Sequence, residues 1–187
     1  MLNNLFSDVY RCDGKTAIWE ISDICNLNCR HCYHQRGESV TISIESAEKT
    51  LKKLRTLGTT HIHFLGGEPL MVPNIIDILE LAKELGFMTS INTNGMRINE
   101  SFAQELLKAN VDSIMISMDG ASKEVNDSIR GEGVYAKVVN AIDCLQRYEI
   151  PCGITVTISE INASEIGDMI DFCIKKKIPI LRIVLAY

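Results

Sequence analysis

The sequence has little of what marks a membrane, exported or nucleic-acid-binding protein. No uninterrupted apolar run approaches the roughly 20 residues that a bilayer-spanning helix needs, and no basic segment leading into an apolar one opens the chain. The expectation is a cytoplasmic protein with no membrane partner. Lysine and arginine total 19 against 24 aspartate and glutamate, a net charge of −5, and the basic residues are scattered. No positive stripe is offered to a phosphate backbone, so no nucleic-acid partner is expected. What remains is ordinary for a soluble globular chain: 46% hydrophobic and 23% charged over 187 residues, one domain by length with a sizeable core. Residues 1–15 read as an arm ahead of it.

Cysteine is where the composition departs from the ordinary. Of seven, Cys12, Cys144, Cys152 and Cys173 stand at no metal-like spacing and suit small apolar packing positions. The other three, Cys25, Cys29 and Cys32, form a C-x3-C-x2-C loop. With no export signal, such a spacing points to metal or catalysis rather than to disulfides. Three thiolates from one loop suit an iron–sulfur cluster that keeps one iron free of protein. They equally suit a zinc site completed by His31 or His34, and the loop alone leaves both open.

The rest of the chain alternates two periods. Strand-like runs occupy Thr16–Ser22, His61–Leu65, Met88–Thr93, Ser113–Met118, Cys152–Ile158 and Ile180–Leu185, rich in β-branched residues. Between them lie helical patterns: Ser43 capping Ile44 to Leu57, Pro73 opening a helix to Leu85, then Ser101–Ala109, Lys137–Tyr148, and a helix entered through a capping box, Asn162 to Glu165. Gly58 and Gly86 close the first two. Six strands and five helices in alternation predict right-handed crossovers and a parallel sheet. Six units are too few for a closed eight-stranded barrel, so a partial, open barrel without a last helix is expected, with a flat doubly wound sheet as the alternative. A core without a closing helix would leave an apolar edge.

The unusual residues gather at one end of that sheet. The cysteine loop follows the first strand, Gly66, Gly67, Glu68 and Pro69 the second, Asn94 and Gly95 the third, and Ser117, Asp119 and Gly120 the fourth, ahead of a polar loop holding Arg130. The carboxyl ends of parallel strands are where such folds carry their sites. Glycines allow backbone to approach a ligand, Glu68 suits an ammonium group, and Arg130 suits a carboxylate. Ser117, Asp119 and Asn94 suit ribose hydroxyls. Ammonium, carboxylate and ribose describe an amino acid joined to a nucleoside. His61 and His63 share a strand face as interior histidines, and parity also turns Glu20, Asn92 and Arg182 inward.

The pairing of Cys25, Cys29 and Cys32 with Gly66, Gly67, Glu68 and Pro69 after the next strand resembles the radical S-adenosylmethionine (SAM) superfamily, over Thr16 to Tyr187. The resemblance implies a (βα)6 partial barrel and a [4Fe–4S] cluster on the three cysteines, with the fourth iron chelated by SAM. It also implies reductive cleavage of SAM to a 5′-deoxyadenosyl radical that abstracts hydrogen from substrate. By the same resemblance Gly67 and Glu68 take the SAM amino group and Ser117 and Arg130 its carboxylate. Asp119, Asn94 and the backbone at His31 then lie near ribose and adenine, with Leu185 to Tyr187 on the adenine. An electron donor such as a flavodoxin or ferredoxin is implied. Asn126 to Tyr135, following Ser117 to Gly120, resembles the branch of SPASM-type peptide-modifying and sulfatase-maturing enzymes and the molybdenum-cofactor cyclase. That points to a peptide or small-molecule substrate, and, since such relatives usually continue into a C-terminal domain, to either a fragment of a longer protein or an unusually minimal core. The competing readings are a non-catalytic iron–sulfur or zinc module and a glycyl-radical activating enzyme.

Overall fold

The structure, a computed structural model, describes residues 14–32 and 42–186. The expected arm up to Asp13, and Cys12, His34 and Tyr187, lie outside the described residues. Six strands form one all-parallel sheet in sequence order: β1 (Lys15–Ser22), β2 (Thr59–Gly66), β3 (Met88–Thr93), β4 (Ser113–Ser117), β5 (Cys152–Ile158) and β6 (Leu181–Leu185). Each strand pairs with its sequence neighbours, leaving β1 and β6 as edges, and the sheet curls into a half-barrel. That is the open barrel the alternation predicts; a flat doubly wound sheet would have reversed its strand order.

Among the described residues six helices accompany the strands: α1 (Ile44–Thr56), α2 (Ile75–Glu84), α3 (Glu100–Lys108), α4 (Lys123–Arg130), α5 (Val134–Arg147) and α6 (Ile166–Lys175). Alternate strand residues, among them Ile62, Phe64, Ile91, Ile114, Ile116 and Ile154, turn outward and are fully buried against helix residues such as Leu51, Leu79, Leu106 and Leu145. Ser43 caps α1, its hydroxyl accepting from Ser46 N at 3.2 Å. Gly58 and Gly86, both at φ +79°, end the turns after α1 and α2 in the left-handed region that glycine tolerates.

Two expectations need correction. The loop after β4 contains a helix of its own, α4, which shows only Val125 and Ile129 as apolar spacing and so escapes a periodicity reading. Its start is nonetheless built by a cap, Ser122 Oγ accepting from Val125 N at 3.3 Å. The capping box at Asn162 and Glu165 does not form. Asn162 instead accepts from Ser159 N at 2.7 Å and donates to the carbonyls of Asp119 and Thr157 at 2.8 and 2.9 Å. Glu165 reaches Ser122 Oγ at 2.7 Å and Ala121 N at 2.9 Å. Both side chains are spent on joining the β5–α6 loop to the β4–α4 loop, and α6 is entered through a 3-10 turn instead. An apolar edge is present as expected: Ile174 of α6 and Leu185 of β6 stand 70% and 67% exposed.

Candidate active site

A cavity of about 400 Å³ opens at the carboxyl ends of the strands. Cys25, Cys29 and Cys32 line one side of it, and Gly66, Gly67, Glu68, Asn94, Ser117 and Arg130 line it as well. Nine of the ten residues singled out in the sequence therefore meet in one place. The tenth, Asp119, stands behind the wall.

The glycine pair owes its identity to the protein itself rather than to a ligand alone. Gly66 closes β2 at φ +135°, and a Cβ there would overlap the carbonyl oxygen of Ser22; one on Gly67 would overlap that of Ile24. Gly67 N donates to Ser22 O at 2.6 Å and Glu68 N to Ile24 O at 2.7 Å. The motif after β2 thus clamps the backbone that leads into the cysteine loop. Arg30 N, donating to Ile129 O at 2.9 Å, fixes the loop's far side to α4.

Glu68 is 1% exposed, and its carboxylate accepts from Leu70 N at 3.0 Å, Thr93 Oγ1 at 2.7 Å and Asn94 N at 2.7 Å. Burial raises its pKa, and these donors, with the nearby Arg130 charge, work against that rise. Asn94 carries the chain of contacts to the cysteines: its Nδ2 lies 2.7 Å from Asn26 Oδ1 and 3.7 Å from Cys25 Sγ. Its amide ties the end of β3 to the cysteine loop.

Asp119 is fully buried and organises the opposite wall. Its Oδ2 lies 2.8 Å from Arg130 Nε, a charge contact without directed hydrogen-bond geometry, and 3.6 Å from His31 Nε2; its Oδ1 accepts from Thr157 N at 2.7 Å. Asn126 holds the same turn, accepting from Asp119 N at 2.9 Å. The remaining end of Arg130 reaches 3.9 Å from Cys29 Sγ. Burial lowers the pKa of His31 and the Arg130 charge adds to this, while Asp119 opposes it. Burial likewise raises that of Cys29, with Arg130 pulling the other way.

The donor set fits a four-iron cluster. No three His, Cys, Asp or Glu side chains among the described residues are gathered tightly enough to share one ion. A cluster asks for less, since each thiolate binds a different iron, and Cys25 and Cys29 have amide and guanidinium N–H groups directed at them. Cys144, Cys152 and Cys173 are buried away from the site, as packing residues. The residues least visible in the sequence are Asn92, Thr155, Thr157 and Arg182, which also line the cavity; period-2 parity on β3, β5 and β6 is the only signal that could find them.

The family profile described as Radical SAM superfamily matches residues 19–173. An AdoMet-dependent heme synthase of Methanosarcina barkeri is 30% identical over 79% of this chain and 44% of its own length. The mycofactocin maturase MftC of Mycobacterium ulcerans is 29% identical over 80% of this chain and 42% of its own. The chain thus spans under half the length of these relatives. Streptococcus suis SuiB shares the fold: bound to S-adenosylmethionine, it superposes with a TM-score of 0.81 at 22% identity, over 92% of this chain and 40% of that one. SuiB bound to its precursor peptide SuiA gives 0.80 at 19% identity, over 99% and 43%. A profile spanning most of the chain, with the cysteine loop and the glycine–glutamate clamp on one cavity, is sufficient: the chain belongs to the radical SAM superfamily.

Proposed function

We propose that this chain is the catalytic core of a radical SAM enzyme that binds a [4Fe–4S] cluster through Cys25, Cys29 and Cys32 and cleaves SAM reductively to abstract hydrogen from a substrate. The observation that carries the reading is the meeting of those three thiols with Glu68, Ser117 and Arg130 on one cavity at the strand ends. Bound there, cluster and SAM supply the carbon–sulfur cleavage and the hydrogen abstraction. The protein's part is positioning. Gly66 and Gly67 hold the cysteine loop against β2, and Glu68 presents a carboxylate to the SAM ammonium group. Ser117 and Arg130 face its carboxylate, and Asp119 holds Arg130 and His31 in place from behind. Asn94 braces Cys25, and the β6 end at Leu185 and Ala186 borders the adenine.

The electron comes from a small carrier such as a flavodoxin or ferredoxin. The substrate class is a peptide or small molecule admitted to the barrel, a reading supported by the SuiB complex with its precursor peptide.

Anaerobic reconstitution with iron and sulfide tests this. The expected product is a brown protein whose cluster spectrum shifts on adding SAM and which, reduced by dithionite, releases 5′-deoxyadenosine. Cys29→Ala abolishes the cluster and Cys144→Ala keeps it. A colourless protein holding one zinc, or equal loss of iron in both variants, overturns the reading.

A further inference from the structure

Below the rim that carries the cysteines, the inner face of the half-barrel is polar, whereas parallel barrels ordinarily fill this space with branched apolar side chains. Several of its buried polar atoms have no hydrogen-bond partner among the described residues: Asn92 Oδ1, Thr155 Oγ1, Arg182 Nε and, deeper, His63 Nε2. Thr155 is only 5% exposed. Buried polar groups are nearly always matched, so a set of unmatched ones on a cavity wall is shaped for a polar ligand. Strand register sets three lining side chains in one row: Ser117 pairs with Thr155 across β4 and β5, and Thr155 with Arg182 across β5 and β6, while Asn92 stands one inward step lower on β3, in register with Met115. Adjacent strands lie about 4.8 Å apart, so the three side chains stand shoulder to shoulder.

Charge selects the ligand. Of the two guanidinium groups lining the cavity, that of Arg130 is neutralised by Asp119, while Arg182 forms no ion pair among the described residues. Its positive charge reaches His63, whose ring it helps to keep neutral, burial being the larger cause. One uncompensated guanidinium beside the Thr155 hydroxyl matches a single carboxylate charge in fork geometry. A phosphate would set nearly two charges against one.

We propose that Arg182, Thr155 and Asn92 form a subsite for a carboxylate of the substrate, on the barrel wall beside the SAM seat, with Ser117 marking the border between the two. The assignment rests on the radical SAM reading of the cavity and names the substrate class it lacks: a molecule that carries a carboxylate close to its reacting carbon. The guanidinium donates to both carboxylate oxygens, the Thr155 hydroxyl to one of them, and the Asn92 amide engages the neighbouring polar group.

The test uses the reconstituted, SAM-loaded chain and hippurate, a carboxylate next to an amide, as probe, followed by saturation-transfer NMR. Hippurate binds, while its methyl ester and inorganic phosphate bind at least about tenfold more weakly, the loss expected for one charge-assisted contact. R182Q and T155V lose hippurate to a similar or smaller degree and keep the SAM affinity of the parent within about threefold; an unchanged circular dichroism spectrum shows that they fold. Hippurate binding that survives R182Q, equal binding of the methyl ester, no binding at all, or loss of SAM affinity in R182Q overturns the subsite. A parent chain that takes up neither cluster nor SAM, seen before hippurate is added, overturns the radical SAM reading itself.

Discussion

At the scale of single residues, the site is held by side chains buried beneath its lining. Asp119 has no exposed surface, yet three elements depend on it: α4 through Arg130, the cysteine loop through His31, and β5 through the backbone of Thr157. Asp119→Asn keeps an oxygen for Thr157 N and removes the charge, leaving a buried guanidinium without its contact ion pair. The expected cost is about 3–5 kcal/mol of stability, read as a lower urea midpoint of the cluster-free chain; a loss under about 1 kcal/mol, the value of an exposed pair, would mean that Arg130 finds another partner. Gly67→Ala acts on the same loop differently. A methyl group there meets the Ile24 carbonyl, a backbone atom that can yield only by moving the segment entering Cys25. Iron uptake on reconstitution should fall several-fold in Gly67→Ala and stay at the parent level in Gly167→Ala, a glycine with open space around it.

At the scale of elements, local signals and long-range demands compete, and the capping box shows which wins. Asn162 to Glu165 carries the right residue types, but Asn162 is buried and makes its hydrogen bonds to Ser159, Asp119 and Thr157. A cap contributes about 1 kcal/mol, whereas leaving the buried carbonyl of Asp119 unmatched costs about 1–3 kcal/mol, with a further loss at the half-buried Thr157 carbonyl and Ser159 N–H. Asn162→Ala should therefore lower the urea-derived stability by more than about 2 kcal/mol, beyond the reach of a lost cap, and Asn162→Ser should not restore it. The six strands and the long amphipathic helices were legible because their burial is one-sided and repeats along the chain. Helix α4 was not, having too few apolar residues to show a period. The site was legible in residue type and in strand-end position. Its wiring was not: that Asn94 serves Cys25, or that Asp119 faces Arg130, depends on residues brought together by β-sheet register and loop packing rather than by spacing.

At the scale of the whole molecule, the half-barrel separates an apolar outer layer under the helices from a polar inner face, and the inner face makes stability depend on pH. His61 Nε2 and His63 Nδ1 lie 2.8 and 2.6 Å from the same Ser90 hydroxyl. One hydroxyl proton cannot be given to both rings, so at least one ring donates to Ser90, and a ring that accepts from Ser90 must be neutral. Burial, then the charges of Arg182 and His61, push the pKa of His63 down to about 4, and burial lowers that of His61 as well. In the unfolded chain a histidine takes its proton near 6.5. Between these values the unfolded state holds more protons than the folded one, so stability is complete above about pH 6.5 and drains away as the pH falls toward about 4. At 1.36 kcal/mol per unit, His63 accounts for at most about 3 kcal/mol of that loss. Urea unfolding of the cluster-free chain, parent against His63→Gln, isolates it, since the carboxylates titrate alike in both and glutamine does not titrate. The stability difference between the two should shrink by roughly 2–3 kcal/mol from pH 7.5 to pH 4. A difference that stays constant over that range would mean that the ring is not held neutral inside the barrel, and that its face of the cavity is wetter than the unmatched Nε2 of His63 implies.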